Sequence, residues 1–237
     1  MRRLSRRHLL RAGLSGAVTA VGGCGSRDSA SFLALGDSYT VGSGVSREDR
    51  WADRLPDRLR DQGYAIDAPT VVADGGWTTD RLREETREGD LWAEEDGTNR
   101  GSGYDLVSLC IGANDAFQGR PAAEFRPRFE AVLEDAVRYA GDRPANVLVL
   151  TIPDYTVTPV GRGRGPDAHR ERLETYNGNV EHASATRGTR FVDLVEPSRR
   201  VVDEPGLVAD DGLHPSAAQH GLWLDRIAPA AAEILAE

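Results

Sequence analysis

Five short apolar runs are spread along the chain, separated by longer stretches that mix apolar and polar residues. The runs occupy residues 31–36, 70–73, 104–111, 146–152 and 189–194. Each run is nearly continuously apolar, which is typical of strands covered on both faces. We therefore predict a parallel sheet of about five strands.

The stretches between the runs predict the helices that cover this sheet. They are residues 51–62, 78–88, 124–140, 167–187 and 216–236. Pro56 should kink the first helix or delay its start, and residues 153–166 and the stretch from 195 to 215 should be loops. Strands that alternate with helices indicate βαβ units. The sequence thus predicts an α/β protein with a three-layer α/β/α sandwich of the flavodoxin-like type.

The N-terminal 24 residues do not fit this pattern. Arginines at the start precede a modest apolar stretch of small residues, as in a targeting segment. Residues 5–11 (SRRHLLR) resemble a twin-arginine export signal. Residues 21–24 (VGGC) resemble a lipobox, whose Cys24 would be lipidated after cleavage. We expect a signal segment at 1–24, a short polar tether at 25–31 and one folded domain at 32–237. The mature protein would be anchored on the outer face of the cytoplasmic membrane.

The net charge and the cysteine content exclude several classes of partner and site. The formal net charge is −9, and an acidic surface repels nucleic acid, so a nucleic-acid partner is disfavoured. Cys24 and Cys110 are the only cysteines, too few for a disulfide framework or a cysteine metal cluster. Cys110 lies in an apolar run and should be a small buried residue.

Polar clusters follow the first three strands and precede the last helix. They are residues 36–38 (Gly-Asp-Ser), Gly76, residues 112–115 (Gly-Ala-Asn-Asp) and residues 211–214 (Asp-Gly-Leu-His). Active sites of parallel sheets lie beyond the carboxyl ends of the strands. All four clusters are therefore predicted to meet at one edge of the sheet.

These clusters contain what nucleophilic catalysis requires. A serine hydroxyl such as that of Ser38 needs a base, and His214 can serve near neutral pH. Asp211 can fix the imidazole tautomer, because a separation of three residues lets one loop hold both side chains. The oxyanion hole would be formed by the backbone N–H groups of Ser38 and Gly76 and the side-chain amide of Asn114.

Four alternatives remain at this point. Asp210 could replace Asp211, and Gly75 could replace Gly76. Asn114 and Asp115 could instead cap the helix that follows them. The remaining histidines are expected to be structural or solvated, although His220 is a further candidate for the pocket wall.

The four clusters resemble, in order, the sequence blocks of the SGNH (GDSL-type) hydrolases. Residues 34–39 (ALGDSY) are similar to the first block, and residues 76–79 (GWTT) to the second. Residues 111–115 (IGAND) are similar to the third block and residues 211–215 (DGLHP) to the last. Two departures are visible: Tyr39 stands where the family usually has Leu, and the Asn that many members carry early in the second block is missing.

The resemblance implies an α/β/α fold and ester hydrolysis through an acyl-enzyme, without metal or cofactor. It assigns Ser38, Asp211 and His214 to the triad, and Gly76 and Asn114 to the oxyanion hole. The substrate would be a small-molecule, carbohydrate or lipid ester. A G-x-S-x-G elbow and an H-E-x-x-H zinc motif are absent from the sequence. The alternative to an enzyme is a non-catalytic surface lipoprotein or binding module with the same fold.

Overall fold

The structure is a computed structural model that describes residues 29–88 and 103–237. Its sheet consists of β1 (Phe32–Gly36), β2 (Thr70–Ala73), β3 (Leu106–Cys110), β4 (Val147–Leu150) and β5 (Arg190–Val192). All neighbouring strands are parallel, in the order β2-β1-β3-β4-β5. The predicted five-stranded parallel sheet is confirmed.

The burial of each strand follows its position in the sheet. Every residue of β1, β3 and β4 is buried, whereas the edge strands β2 and β5 are only partly buried. The central strands are apolar on both faces because helices cover both faces. Their side chains form the main hydrophobic core together with the inner faces of the long helices.

Helices cover the sheet in two layers. Those of the described residues are α1 (Ser38–Val41), α2 (Trp51–Arg60), α3 (Thr79–Glu88), α4 (Ala113–Phe117), α5 (Ala122–Tyr139), α6 (Pro159–Arg162), α7 (Pro166–Arg187), α8 (Val195–Arg199) and α9 (Ala217–Leu235). α2 packs against α9, while α5 packs against both α3 and α7. The three-layer α/β/α sandwich is therefore confirmed, with its five long helices close to their predicted bounds. None of the described helices has the length and apolarity that a membrane span requires.

Two of the local predictions are wrong. Pro56 does not delay the start of α2, which begins at Trp51 and continues through Pro56 to Arg60. The apolar face of α2 is buried against α9, and this burial outweighs the missing backbone N–H of proline. The regions predicted as loops at 153–166 and 195–215 contain the short helices α6 and α8.

The hydrogen bonds of the domain extend to residue 29, three residues before the predicted domain start. The Ser29 hydroxyl donates to Asp67, and Ala30 pairs with Ile66 in an isolated parallel bridge. Cys110 is a free, buried thiol, as predicted. The leader, including Cys24, lies outside the described residues.

Candidate active site

Ser38 lies at the start of α1, immediately after the buried strand β1. Asp37 caps this helix, because its carboxylate accepts the N–H of Tyr39 at 3.0 Å. Ser38 is buried, and its own N–H has no partner among the described residues. β1 pairs with both β2 and β3, so Ser38 stands at the point where the strand order reverses, a common place for a ligand site.

The turn after β2 distinguishes between the two candidate glycines. The N–H of Gly75 donates to the side chain of Asp74 at 2.7 Å. The N–H of Gly76 has no partner among the described residues. Gly76 adopts φ +79°, a left-handed conformation that favours glycine, and a Cβ there would meet nothing within 4 Å. Of the two, Gly76 has the N–H that is available to a substrate.

Asn114 and Asp115 follow β3 and lie inside α4, so they do not cap it. Asn114 Nδ2 donates to the carbonyl oxygen of Trp77 at 2.8 Å. The same amide nitrogen carries a second hydrogen that this bond does not use. Asp115 is fully buried and accepts the N–H and the hydroxyl of Thr79, both at 2.9 Å. Asp115 therefore caps α3 and ties the turn after β2 to the turn after β3.

Asp211 and His214 form a hydrogen-bonded pair within one turn. His214 Nδ1 lies 2.6 Å from Asp211 Oδ2. The other carboxylate oxygen accepts the backbone N–H groups of Leu213 at 2.8 Å and His214 at 2.9 Å. Burial raises the pKa of Asp211, but these hydrogen bonds outweigh it and hold the pKa below its usual value. Asp210 is exposed and forms no bond with His214 in the described residues.

One cavity of about 70 Å³ contains residues from three of the four clusters. Its lining is Ser38, Tyr39, Ala113, Asn114, Phe117, Tyr155, Leu213 and His214. Within the described residues no hydrogen bond joins the Ser38 hydroxyl to the His214 ring. Apo structures often have such bonds long, and substrate tightens them.

Tyr39, which departs from the usual Leu of the first block, lines this cavity. Its ring lies 6.0 Å from the ring of His214 and 5.9 Å from that of Trp223. His220 is fully buried behind this layer, where its Nδ1 accepts the N–H of Trp51. Burial lowers the pKa of His220 to about 3, so it stays neutral. His220 lies outside the cavity of Ser38.

In the opposite wall of the cavity, Phe117 was not identified from the sequence, whereas the loop at residues 155–165 was expected to shape the pocket. Tyr155 and Phe117 meet edge to face, with their ring centroids 5.5 Å apart. The Tyr155 hydroxyl lies 2.8 Å from His169 Nδ1. His169 was expected to be a structural or solvated residue, yet it orients a side chain that lines the cavity. The sequence signal for this part of the wall is the position of Tyr155 in the loop after β4, at the edge of the sheet where the four clusters meet.

A buried carboxyl group lies next to Ser38. Asp37 is 1% exposed, and its Oδ2 has no hydrogen-bond partner among the described residues. Burial is the largest effect and raises the pKa of Asp37 to about 7, while the N–H of Tyr39 opposes the increase. Asp37 therefore titrates near neutral pH, one residue from the candidate nucleophile.

Comparison with known proteins places the whole domain in one family. Residues 34–222 match the GDSL-like lipase/acylhydrolase family. An arylesterase of Vibrio mimicus is 26% identical over 190 residues, covering 80% of this chain and 82% of the relative. Esterase TesA of Pseudomonas aeruginosa is 25% identical over 201 residues, covering 84% of this chain and 86% of the relative.

The fold is also similar to that of a solved structure. The crystal structure of a lipase/acylhydrolase from Enterococcus faecalis superimposes with a TM-score of 0.67 at 20% identity, covering 86% of this chain and 96% of that one. The match of sequence and fold extends over nearly all of the described domain. The chain belongs to the GDSL-like lipase/acylhydrolase family and is an ester-hydrolysing enzyme.

Proposed function

We propose that the protein is a serine hydrolase in which Ser38, His214 and Asp211 form the catalytic triad. The hydrogen bond of 2.6 Å between Asp211 and His214, beside the cavity that contains Ser38, carries this proposal. Asp211 holds the proton of the imidazole on Nδ1, which leaves Nε2 free to accept the Ser38 proton. It also stabilises the imidazolium that forms.

The reaction proceeds in two steps. Ser38 Oγ attacks the ester carbonyl as His214 takes its proton, and the alcohol then leaves with that proton. This step leaves an acyl group on Ser38. A water molecule, deprotonated by His214, attacks the acyl-enzyme and releases the carboxylic acid and the free Ser38 hydroxyl.

We assign the oxyanion hole to the N–H of Ser38, the N–H of Gly76 and the side-chain amide of Asn114. Both backbone N–H groups lack partners among the described residues, and Asn114 keeps one N–H beyond its bond to Trp77. Such donors stabilise the tetrahedral intermediate without reorganising during the reaction.

The size of the cavity favours a short acyl group. Its volume of about 70 Å³ is far below the roughly 300–1,000 Å³ of pockets for drug-sized ligands. The rings of Phe117 and Tyr155 make part of its wall apolar. We propose small-molecule esters as substrates, with the alcohol group extending out of the cavity.

Substitution of the nucleophile tests the assignment. Ser38→Ala should lower kcat on a short-chain aryl ester by about 10⁴ or more. Ser46→Ala is the matched control, because Ser46 is an exposed serine of the neighbouring loop. Near wild-type turnover by Ser38→Ala would overturn the triad. A wild-type protein that folds but hydrolyses no ester would favour the alternative of a binding module.

We further propose that the protein is exported and anchored to the membrane through a lipid on Cys24. This rests on the sequence of residues 5–11 and 21–24. Cys24→Ser should release the protein from membranes or block processing of the leader. A mature chain that continues unmodified through Cys24, observed by mass spectrometry, would contradict the anchor.

A further inference from the structure

Two arginines contact α4 at Phe117, which forms part of the wall of the Ser38 cavity, and at the preceding residue. Arg164 Cζ lies 4.9 Å from the centroid of that ring. Arg172 Nη1 donates to the carbonyl oxygen of Ala116 at 3.0 Å, one residue before Phe117. Both guanidinium groups therefore lie beside the active-site cavity, on the side of Phe117.

Neither arginine has a carboxylate partner in the part of the chain that the structure describes. Within residues 29–88 and 103–237, Arg164 and Arg172 form no ion pair with a carboxylate, and Arg164 donates no hydrogen bond. Neighbouring arginines differ: Arg170 pairs with Asp167, and Arg199 pairs with Asp154. In a chain with 38 acidic and 29 basic residues, two uncompensated cations beside the active site create a local positive potential.

The two guanidinium groups also lie close to His169. Its ring lies 5.7 Å from the ring of Phe117. Burial lowers the pKa of His169, and the nearby guanidinium groups of Arg172 and Arg164 lower it further. Both cations are therefore close enough to act on a group that hydrogen-bonds Tyr155, another residue of the cavity wall.

We propose that the preferred substrates are esters that carry an anionic group, a carboxylate or a phosphate, which binds Arg164 and Arg172. This inference rests on the proposed ester hydrolysis at Ser38. The reacting ester lies in the cavity, the hydrocarbon next to it contacts Phe117, and the anion extends to the guanidinium groups. A guanidinium matches a carboxylate or phosphate with two parallel hydrogen bonds, which adds specificity to the charge.

Arg164 is the residue to substitute, because it is exposed and its side chain forms no hydrogen bond or ion pair with a described residue. Arg164→Gln removes the charge, and Arg164→Lys retains it without the planar fork. Arg170→Gln is the matched control. It removes the same charge from the helix of Arg172, but Arg170 is paired with Asp167 and has no contact with Phe117 or Ala116 among the described residues.

The measurement is the ratio of kcat/KM for an anionic ester to that for its neutral counterpart, with the whole chain. On the alcohol side, 4-acetoxybenzoate and 4-acetoxyphenyl phosphate are compared with 4-acetoxybenzamide. On the acyl side, the 4-nitrophenyl hemiester of succinic acid is compared with 4-nitrophenyl butyrate. Comparing each ratio between variants cancels the differences in intrinsic reactivity among the esters. The carboxylate and phosphate esters identify which anion binds, and the alcohol-side and acyl-side comparisons identify its position.

We expect Arg164→Gln to lower the ratio in at least one arm by about threefold to tenfold. Arg164→Lys should retain part of the preference, Arg170→Gln should leave it unchanged, and added salt should weaken it. Unchanged ratios in every arm for Arg164→Gln, with normal hydrolysis of the neutral esters, would overturn the anion preference alone. Failure of the wild type to hydrolyse any ester would overturn the proposed function and this inference with it.

Discussion

The two sides of the proposed active site are held in place by different means. On the nucleophile side (residues 36–38 and 112–115), Asp37 and Asp115 are almost completely buried, and each accepts a backbone N–H from α1 or α3. On the histidine side (residues 209–214), the Asp211 side chain is 41% exposed. The backbone donors to its carboxylate lie no more than three residues away.

Because of this difference, substitutions on the two sides should affect stability and catalysis differently. The nucleophile side is part of the hydrogen-bonded interior of the sheet, so a change there should affect folding as well as turnover. The histidine side is a local turn on the surface, so a change there should affect turnover while the fold survives. Four variants test the contrast.

The largest effect is expected on the histidine side. Asp211→Asn should lower kcat by about 10⁴, because the amide selects the wrong imidazole tautomer. Asp210→Asn is the matched control and should have little effect, since Asp210 forms no bond with His214 in the described residues. Steady-state kinetics should show the difference in kcat, and thermal unfolding should show equal stability for the two variants. A damaging Asp210→Asn with a mild Asp211→Asn would reverse the assignment.

Asn114→Ala should have the next largest effect, on the nucleophile side. Loss of one oxyanion donor should lower kcat by roughly 10²–10³ with little change in KM. Asn146→Ala provides the control, because Asn146 Nδ2 also donates to a backbone carbonyl, that of Asp105, at 3.0 Å. Asn146 lies at the start of β4, the opposite edge of the sheet. Both variants should lose similar stability, and equal loss of kcat in the two would refute the oxyanion role.

Gly44→Ala tests how the turn of the histidine side is supported. A Cβ at Gly44 would lie 2.8 Å from Ala209 Cβ and 3.6 Å from Asp211 Oδ2, and the residue has φ +90°. We expect a displaced turn and about a tenfold loss of kcat. Gly63→Ala imposes a similar backbone strain at φ +94° with no neighbour within 4 Å. The kcat of Gly63→Ala should stay normal. A loss of kcat in Gly63→Ala comparable to that in Gly44→Ala would show that backbone strain alone causes the loss.

The smallest effect concerns the pH dependence of stability. Burial raises the folded pKa of Asp37 to about 7, so the folded state binds the proton more tightly than the unfolded state. The resulting stabilisation is complete below about pH 4 and is lost as the pH rises through about 7. Asp37→Asn should therefore reduce the loss of Tm between pH 4 and 8.

The control for this prediction is Asp203→Asn, which changes an exposed residue without an ion pair among the described residues. It should leave the pH profile of Tm unchanged. Parallel Tm profiles for wild type and Asp37→Asn would show that the carboxyl group ionises as readily in the folded state as in the unfolded state.

The sheet could be predicted from the sequence because its strands are buried on both faces, which leaves uninterrupted apolar runs such as 104–111. The short helices α1, α4, α6 and α8 could not, because four or five residues are too few to show a helical period. α6 is held by a tertiary contact instead: the N–H of Val160 donates to the carbonyl oxygen of Gly212 at 3.0 Å. No local pattern encodes such a contact.

The same distinction applies to the site. The clusters that contain Ser38, Asn114 and His214 could be found because each lies next to a predictable strand or helix. The wall made by Phe117 and Tyr155, with His169 bonded to Tyr155, depends on α4, the turn after β4 and α7 packing together. That arrangement requires the three-dimensional structure.

Labelling of the whole chain with a fluorophosphonate, followed by peptide mass spectrometry, tests the nucleophile most directly. The probe reacts covalently with a serine only where a base and an oxyanion hole activate it. We predict one adduct, on Ser38, that is lost in His214→Ala and retained in Asp210→Asn. An adduct on a different serine, or ester hydrolysis by a protein that the probe leaves unlabelled, would contradict the assignment of Ser38 as the nucleophile.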